Sequence, residues 1–360
     1  MSEPKRIVYM GTPEFAVPPL EALIREGFAV IACVTQPDRP SGRGNRMAVS
    51  PVKATAMVHG ISVLQFERLS RAEGLEALSS LSPDLFVTAA FGQILSKKAL
   101  AIPKLGTVNL HASLLPKYRG PAPVNWCIIE GETKTGVTTM MTDAGVDTGD
   151  ILLSREVAIF PGETAGELTA RLSDVGAALL IETLRRGQAG NCPRAPQDHE
   201  AASRHPILQK EHGRIDFSRP AKQIENLVRG VNPWPGAWTR LPDGGVLKIF
   251  KARAVPDEGE LGDGTLGRAL RSDPKRGFVI DREEGVPGTE LRSDSTNGVF
   301  VACEEGMPGT VLRSDPKRGL VAACGEGALE ILELQAPNAK RMTAGAYLLG
   351  HPIPIGLRFH

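Results

Sequence analysis

RIVYMGTPEFAVPPLEALIREGFAVIACVT, residues 6–35, decides the fold. Two apolar runs, Ile7 to Met10 and Ala29 to Thr35, read as strands, and the stretch 13–26 between them carries helical apolar spacing. The same alternation continues outward. Leu85 to Ala90, Thr107 to His111 and Val137 to Met141 are further strands, separated by candidate helices at 50–59, 70–81 and 121–130. Strands that are apolar throughout, with helices between them, belong to a doubly wound, mostly parallel α/β sheet covered on both faces. Such a sheet puts its ligand site at the carboxyl ends of the strands. The turn GTPEFA (11–16) lacks the G-x-G-x-x-G spacing that seats a dinucleotide, which argues against a nicotinamide oxidoreductase.

A longer amphipathic helix at 163–187, with Leu168, Leu172, Val175, Leu179 and Leu184 at helical spacing, closes this first domain, which we assign to residues 1–190. Residues 191–207 lose that periodicity and gain Gly, Pro and polar side chains, the composition of a linker. From 208 to 360 the pattern becomes short strands broken by Gly, Pro and Asp, among them Leu247 to Ala252, Gly319 to Ala323 and Leu329 to Leu334, which predicts a small β-barrel. Two domains suit a chain of 360 residues. With 41% apolar, 23% charged and 5% aromatic residues, the composition is that of a soluble globular protein. No apolar run is long enough for a membrane span, and the N-terminus has no signal-peptide pattern, so a cytoplasmic location with no membrane partner is expected. The five cysteines, Cys33, Cys127, Cys192, Cys303 and Cys324, are scattered and never form C-x-x-C, which fits buried thiols and neither a disulfide framework nor a zinc site.

The chemistry concentrates in TVNLHASLLPKYRG, 107–120. Asn109 and His111 are two apart on a strand and share one side of it. Further on, MTDAGVDTGDIL (141–152) presents Asp143, Asp147 and Asp150 in a Gly-rich loop after another strand. Singly, each residue has a structural explanation: Asn109 as a turn cap, His111 as a core histidine, Asp147 as a helix start. Together they supply an amide donor, an imidazole and a carboxylate at adjacent strand ends. Attack of an amine on a formyl carbon needs donors for an oxyanion and a route for the ammonium proton, and these three groups provide both without a metal or a covalent nucleophile.

These motifs resemble those of the methionyl-tRNA formyltransferase family, within the folate-dependent formyltransferase superfamily. The resemblance runs nearly end to end: GTPEFA (11–16), QPDRPSGRG (36–44), SPVK (50–53), NLHASLLPKYRG (109–120), DTGD (147–150), GRIDFS (213–218) and NPWP (232–235). It implies a Rossmann-like formyltransferase domain followed by a smaller OB-like barrel. It also implies transfer of formyl from 10-formyltetrahydrofolate to the amino group of methionine on initiator tRNA, in a monomer that uses no metal. By that resemblance Asn109, His111 and Asp147 match the catalytic triplet, and Ser113, Leu114, Leu115 and Pro116 match the tetrahydrofolate-binding stretch. The backbone of Ala90 to Ile94, with Phe91, Gly92, Gln93 and Ile94, lines the pterin pocket in the same reading, although Phe91 equally suits plain core.

The stretch Gln36 to Lys53 holds Arg39, Arg43, Arg46 and Lys53 against the single acid Asp38, a local charge of +3, and Gly42 and Gly44 make it flexible. Read alone it is also an ordinary solvated loop. In the resembling family it enters the acceptor arm of the tRNA, and Arg43 matches the key arginine. The tail from Pro337 to His360, with Lys340, Arg341, Arg358 and no acid, adds possible phosphate contacts. A formyltransferase for a small amine would need only the first domain, and an RNA-binding protein without activity would have no need of Asn109, His111 and Asp147.

Residues 266–328 contain three near-identical units at a period of 21, LGRALRSDPKRGFVIDREEGV, PGTELRSDSTNGVFVACEEGM and PGTVLRSDPKRGLVAACGEGA. Each reads as strand, polar turn and strand, hence a β-hairpin.

Overall fold

The computed structural model describes residues 5–41, 46–255, 271–273, 277–279 and 307–360. It divides into two compact units, Met1–Cys127 with Glu132–Ile207, and Ile128–Gly131 with Leu208–His360.

The first unit follows the predicted alternation: β1 (Arg6–Gly11), α1 (Val17–Arg25), β2 (Ala29–Thr35), β3 (Arg39–Ser41), β4 (Arg46–Ala48), α2 (Pro51–Val58), β5 (Ser62–Gln65), α3 (Ala72–Ser80), β6 (Leu85–Ala89), α4 (Lys97–Leu100), β7 (Thr107–His111), α5 (Pro123–Ile129), β8 (Lys134–Met141), β9 (Ile151–Ala158) and α6 (Ala165–Gln188). Its seven-stranded sheet has the order β5-β2-β1-β6-β7-β8-β9. The first five strands are parallel, while β8 and β9 run antiparallel to their neighbours. The helix expected at 13–26 begins with a 3-10 turn, Glu14–Ala16, and becomes α-helical at Val17, with Pro18 in the first turn where a missing N–H costs nothing. Thr164 and Glu167 form a reciprocal capping box at the start of α6. That helix lies close on β7, because a Cβ on Gly176 would come within 2.8 Å of the Leu110 side chain. The strand carrying Asn109 and His111 is thus seated directly beneath it.

The basic stretch expected as a flexible loop is a two-stranded ribbon: β3 pairs antiparallel with β4, Arg39 opposite Ala48 and Ser41 opposite Arg46. Arg43 lies outside the described residues. Residues 191–207, expected as a linker, belong to the first unit; Ile151 and Ala195 exchange both backbone hydrogen bonds, and Arg119 N–H donates to the Ser203 carbonyl.

The second unit contains α7 (Ala221–Gly230), β10 (Ala237–Arg240), β11 (Val246–Val255), β12 (Arg271–Asp273), β13 (Gly277–Val279), β14 (Val311–Asp315), β15 (Gly319–Ala323), β16 (Ala328–Gln335), β17 (Met342–Thr343) and α8 (Ala344–Gly350). Strands β10-β11-β16-β15-β14 form an antiparallel sheet, with β17 added beside β16. The two edges are joined through the chain terminus. Arg240 on β10 exchanges backbone hydrogen bonds with His360, and Val311 on β14 bonds Leu357 and Gly356. Through this tail the sheet closes, as a barrel must to remove its edges. Of the tail's basic residues, Arg341 pairs with Glu333 and lies 4.6 Å over the Phe250 ring, and Arg358 donates to the Pro308 carbonyl.

The repeat appears as predicted where it is described. In the third unit Arg313 faces Val321 and Asp315 faces Gly319; in the first, Arg271 faces Val279 and Asp273 faces Gly277, the same register two periods earlier. The third hairpin is part of the barrel sheet, and its Arg313 meets the buried Glu330 on β16 at 3.5 Å; desolvation first of all lowers the pKa of that guanidinium. The first hairpin is a separate two-stranded sheet. Deleting Leu266 to Met307, so that Pro308 follows Thr265, is therefore expected to leave a folded protein whose kcat/KM stays within about fivefold of the parent. A loss of about 100-fold with the fold retained, roughly 2.7 kcal/mol, would show that the extra units take part in substrate recognition.

Among the described residues no helix is long and apolar enough to cross a membrane. Cys33, Cys127 and Cys324 are buried and Cys192 partly buried, and none of these four is in a disulfide. Burial pushes Cys33 and Cys324 up to about 12.

Candidate active site

Parallel pairing of β6 with β7 sets Thr88 beside Asn109 and Ala89 beside Leu110, so the segment after β6 emerges next to His111. The Thr88 hydroxyl donates to Asn109 Oδ1 at 2.7 Å. That bond fixes the amide orientation: with its oxygen occupied, Asn109 presents its NH2 group as a donor. Thr88 was not among the residues read from sequence. A threonine in a buried strand carries no signal of its own, and only the register reveals its partner.

His111 is buried, and its Nε2 lies 2.9 Å from the Tyr118 carbonyl oxygen. A carbonyl only accepts, so Nε2 carries the proton of the neutral ring and Nδ1 is the free nitrogen. Nδ1 faces Asp147 Oδ2 at 3.6 Å. This is longer than a hydrogen bond and suits an ion pair once the ring takes a second proton. Asp147 itself has φ of +52°, in the left-handed region, and its Oδ2 accepts from the Gly120 N–H at 2.8 Å. The other two acids of the loop are occupied. Asp143 accepts from the Gly145 N–H and the Thr148 hydroxyl, and Asp150 pairs with Arg194 at 2.5 Å. Of the three carboxylates, Asp147 is the one that faces the imidazole.

The neighbouring loops are mostly self-supporting. Ser113 is buried and its hydroxyl donates to the Lys117 carbonyl, while the Thr138 hydroxyl donates to the Ser113 carbonyl and accepts from the Leu115 N–H. Leu114 packs over Gly136, where a Cβ would come within 2.5 Å of it. Leu115 is buried and Pro116 half-buried. This stretch therefore offers shape and backbone, with its side chains already spent. After β6, Phe91 belongs to the core, and the Gln93 amide braces Phe66 and Leu69. Gly92 and Ile94 remain exposed, Ile94 at 75%. An exposed isoleucine and bare glycine backbone beside a strand end suit the apolar face of a flat heteroaromatic ring.

On the ribbon, Arg39 is exposed and pairs with Glu67 at 2.7 Å. Lys53 is different: its ammonium is held by Asp38 at 2.6 Å and by Gln65 at 2.8 Å, so it braces the ribbon's base. The hydrogen bond from Lys53, then that from Gln65, lowers the pKa of Asp38.

A mostly parallel α/β unit that gathers an amide, an imidazole and a carboxylate at its strand ends, followed by an antiparallel β unit, defines the class of formyl transferases. Residues 5–184 match the formyl transferase family, and residues 207–307 and 299–352 match its C-terminal domain in two overlapping segments, as the repeat leads one to expect. A methionyl-tRNA formyltransferase of Clostridioides difficile is 42% identical over 352 residues, 98% of this chain and 99% of that protein. One of Geobacter metallireducens is 51% identical over 257 residues, 71% of this chain and 82% of that protein. The chain belongs to the methionyl-tRNA formyltransferase family. Among solved structures, the sugar 3N-formyl transferase WlaRD, crystallised in the presence of dTDP and 5-N-formyl-THF, shares the fold with a TM-score of 0.59 and 16% identity, over 94% of this chain and 100% of that one.

Proposed function

We propose that this protein transfers the formyl group of 10-formyltetrahydrofolate to the free amino group of methionine on initiator methionyl-tRNA. The observation that carries the chemistry is the convergence of Asn109, with its amide oriented by Thr88, His111 with only Nδ1 free, and Asp147 at 3.6 Å from that nitrogen.

When bound, 10-formyltetrahydrofolate supplies the formyl carbon at its N10. The backbone of Ala90 to Ile94 and of Ser113 to Pro116 would hold it, with exposed Ile94 against the ring. Asn109 donates through Nδ2 to the negative charge that develops on the formyl oxygen. His111, when it carries a second proton, donates through Nδ1 to the same oxygen, and Asp147 pairs with the resulting cation. As the amine nitrogen bonds the formyl carbon, the bond from that carbon to N10 of the folate would break; the proton lost by the amine leaves on the Asp147 side, by way of a water, and an equivalent proton goes to N10, so that tetrahydrofolate departs. The Gly120 N–H keeps that carboxylate in place throughout. Arg39, Arg43 and Arg46 contact the tRNA backbone, and Lys53 braces the base of the ribbon that carries Arg39 and Arg46. The protein acts in the cytoplasm as a monomer.

Two experiments bear on this reading. Thr88→Val keeps the side-chain volume and removes the donor to Asn109, so kcat should fall about tenfold, near the ~1.4 kcal/mol of one hydrogen bond, with little change in KM. Unchanged kcat would refute the orientation of Asn109. Second, the enzyme offered 10-formyltetrahydrofolate with a nucleotide-linked amino sugar or a glycinamide should give no product, whereas charged initiator tRNA should be formylated. Preference for the small amine would overturn the assigned acceptor.

A further inference from the structure

Residues 195–205, polar enough to read as a linker, form a strap against the catalytic loops, and the side chain at its centre is Gln197. It is 6% exposed, and all of its hydrogen-bonding groups point inward. Its Nε2 donates to the carbonyl of Asp147 at 3.0 Å and to that of Gly149 at 2.6 Å. Its Oε1 accepts from Arg119 Nε at 3.1 Å and Nη2 at 2.7 Å. The amide orientation is not free. Arginine only donates, so the amide oxygen must face it, and the NH2 group must then face the two carbonyls. Arg119 is in turn 3% exposed, and its Nη2 lies 3.0 Å from His199 Nδ1. The side chains of Gln197 and His199 meet this buried guanidinium directly.

The same strap holds the other side of the site. The Tyr118 N–H donates to the Ser203 hydroxyl at 2.8 Å, and the His205 ring stacks on Tyr118 at 5.2 Å. Tyr118 is the residue whose carbonyl fixes the His111 tautomer. Asp147 and His111 are thus both fastened to one segment, one through its own carbonyl and the other through Tyr118. A residue with φ of +52° keeps that backbone only when its surroundings determine it, and the Gln197 amide is what grips its carbonyl.

We infer that Gln197 is a positioning residue for formyl transfer, which sets the Asp147 carboxylate against His111, and that Arg119 orients it for this task. The inference rests on the reading given under Proposed function. It uses no group of the substrate.

The test is Gln197→Glu. A carboxylate keeps the pairing with Arg119, and strengthens it, but cannot donate to two carbonyls, so only the link to the Asp147 loop is lost. Relative to the parent, kcat should fall about 30-fold, with KM for folate and for charged initiator tRNA within about twofold and the unfolding temperature nearly unchanged. In an Asp147→Ala background, followed under single-turnover conditions, Gln197→Glu should cost no more than about twofold further, because it acts through the residue already removed. Arg119→Lys, which keeps the charge and loses the fork, should give a smaller drop of the same kind. Normal kcat in Gln197→Glu would overturn the inference, as would an additive loss in the double variant, or a fall in kcat that follows only a fall in stability in both Gln197→Glu and Arg119→Lys. Parent enzyme is assayed alongside. No formyl transfer by the parent would overturn the functional reading and this inference with it, while an active parent beside an unaffected Gln197→Glu variant would overturn this inference alone.

Discussion

Asn109→Ala, His111→Ala and Asp147→Ala should each lower kcat by about 10²–10³, roughly 2.7–4 kcal/mol of transition-state stabilisation, with tRNA binding retained. The three groups sit where the reaction develops charge: a donor whose orientation Thr88 sets, a ring with one free nitrogen, and a carboxylate 3.6 Å from it. None of the three anchors a large part of the core. His111→Ala opens a small cavity beneath Tyr118 and should cost a few degrees of unfolding temperature at most, since the backbone pairing of its strand with the neighbouring strands persists. Steady-state kinetics together with filter binding of charged tRNA separate the two quantities. Near-normal turnover in Asp147→Ala would rule out the proton route given above.

Phe359→Ala should destabilise the second unit by about 3–5 kcal/mol, the usual cost of emptying a buried phenylalanine site. Phe359 is 2% exposed and stacks on Phe217 with ring centroids 5.7 Å apart. Its backbone N–H bonds the Gly309 carbonyl, in the same tail that joins Arg240 on one edge of the sheet to Val311 on the other. Loss of this ring therefore removes packing and loosens the closure together. Urea unfolding followed by tryptophan fluorescence and far-ultraviolet circular dichroism gives the value. A change under about 1 kcal/mol would mean that the tail is not what closes the sheet.

Much of the α/β unit was legible because its central strands are buried on both faces, and burial on both faces leaves an unbroken apolar run, as in β1 and β6. The edge strands β5 and β9 were missed. Ser62–Gln65 and Ile151–Ala158 are largely half-buried or exposed, so their sequences SVLQ and ILLSREVA carry no such run. In the second unit α7 was missed although Ala221, Ile224 and Val228, all buried, have helical spacing, because the surrounding Gly, Pro and Asp made the region read as strands and turns. Asn109, His111 and Asp147 could be singled out because together they place an amide, an imidazole and a carboxylate at adjacent strand ends, in motifs that resemble those of the family. Gln197 could not. A polar segment has the same composition whether its side chains meet water or, like Gln197 and Arg119, meet buried protein groups. The partner of Arg341 was hidden for a related reason: its charge is visible in the sequence, but Glu333, with which it pairs, is not adjacent to it.

The most direct measurement is transfer of radiolabelled formyl from 10-formyltetrahydrofolate to charged initiator tRNA by the purified protein, with charged elongator methionyl-tRNA as the control. Rapid formation of formylmethionyl-tRNA on the initiator, and at least about 100-fold lower kcat/KM on the elongator, is the predicted result. No transfer to either tRNA, by protein shown to be folded, would contradict the account.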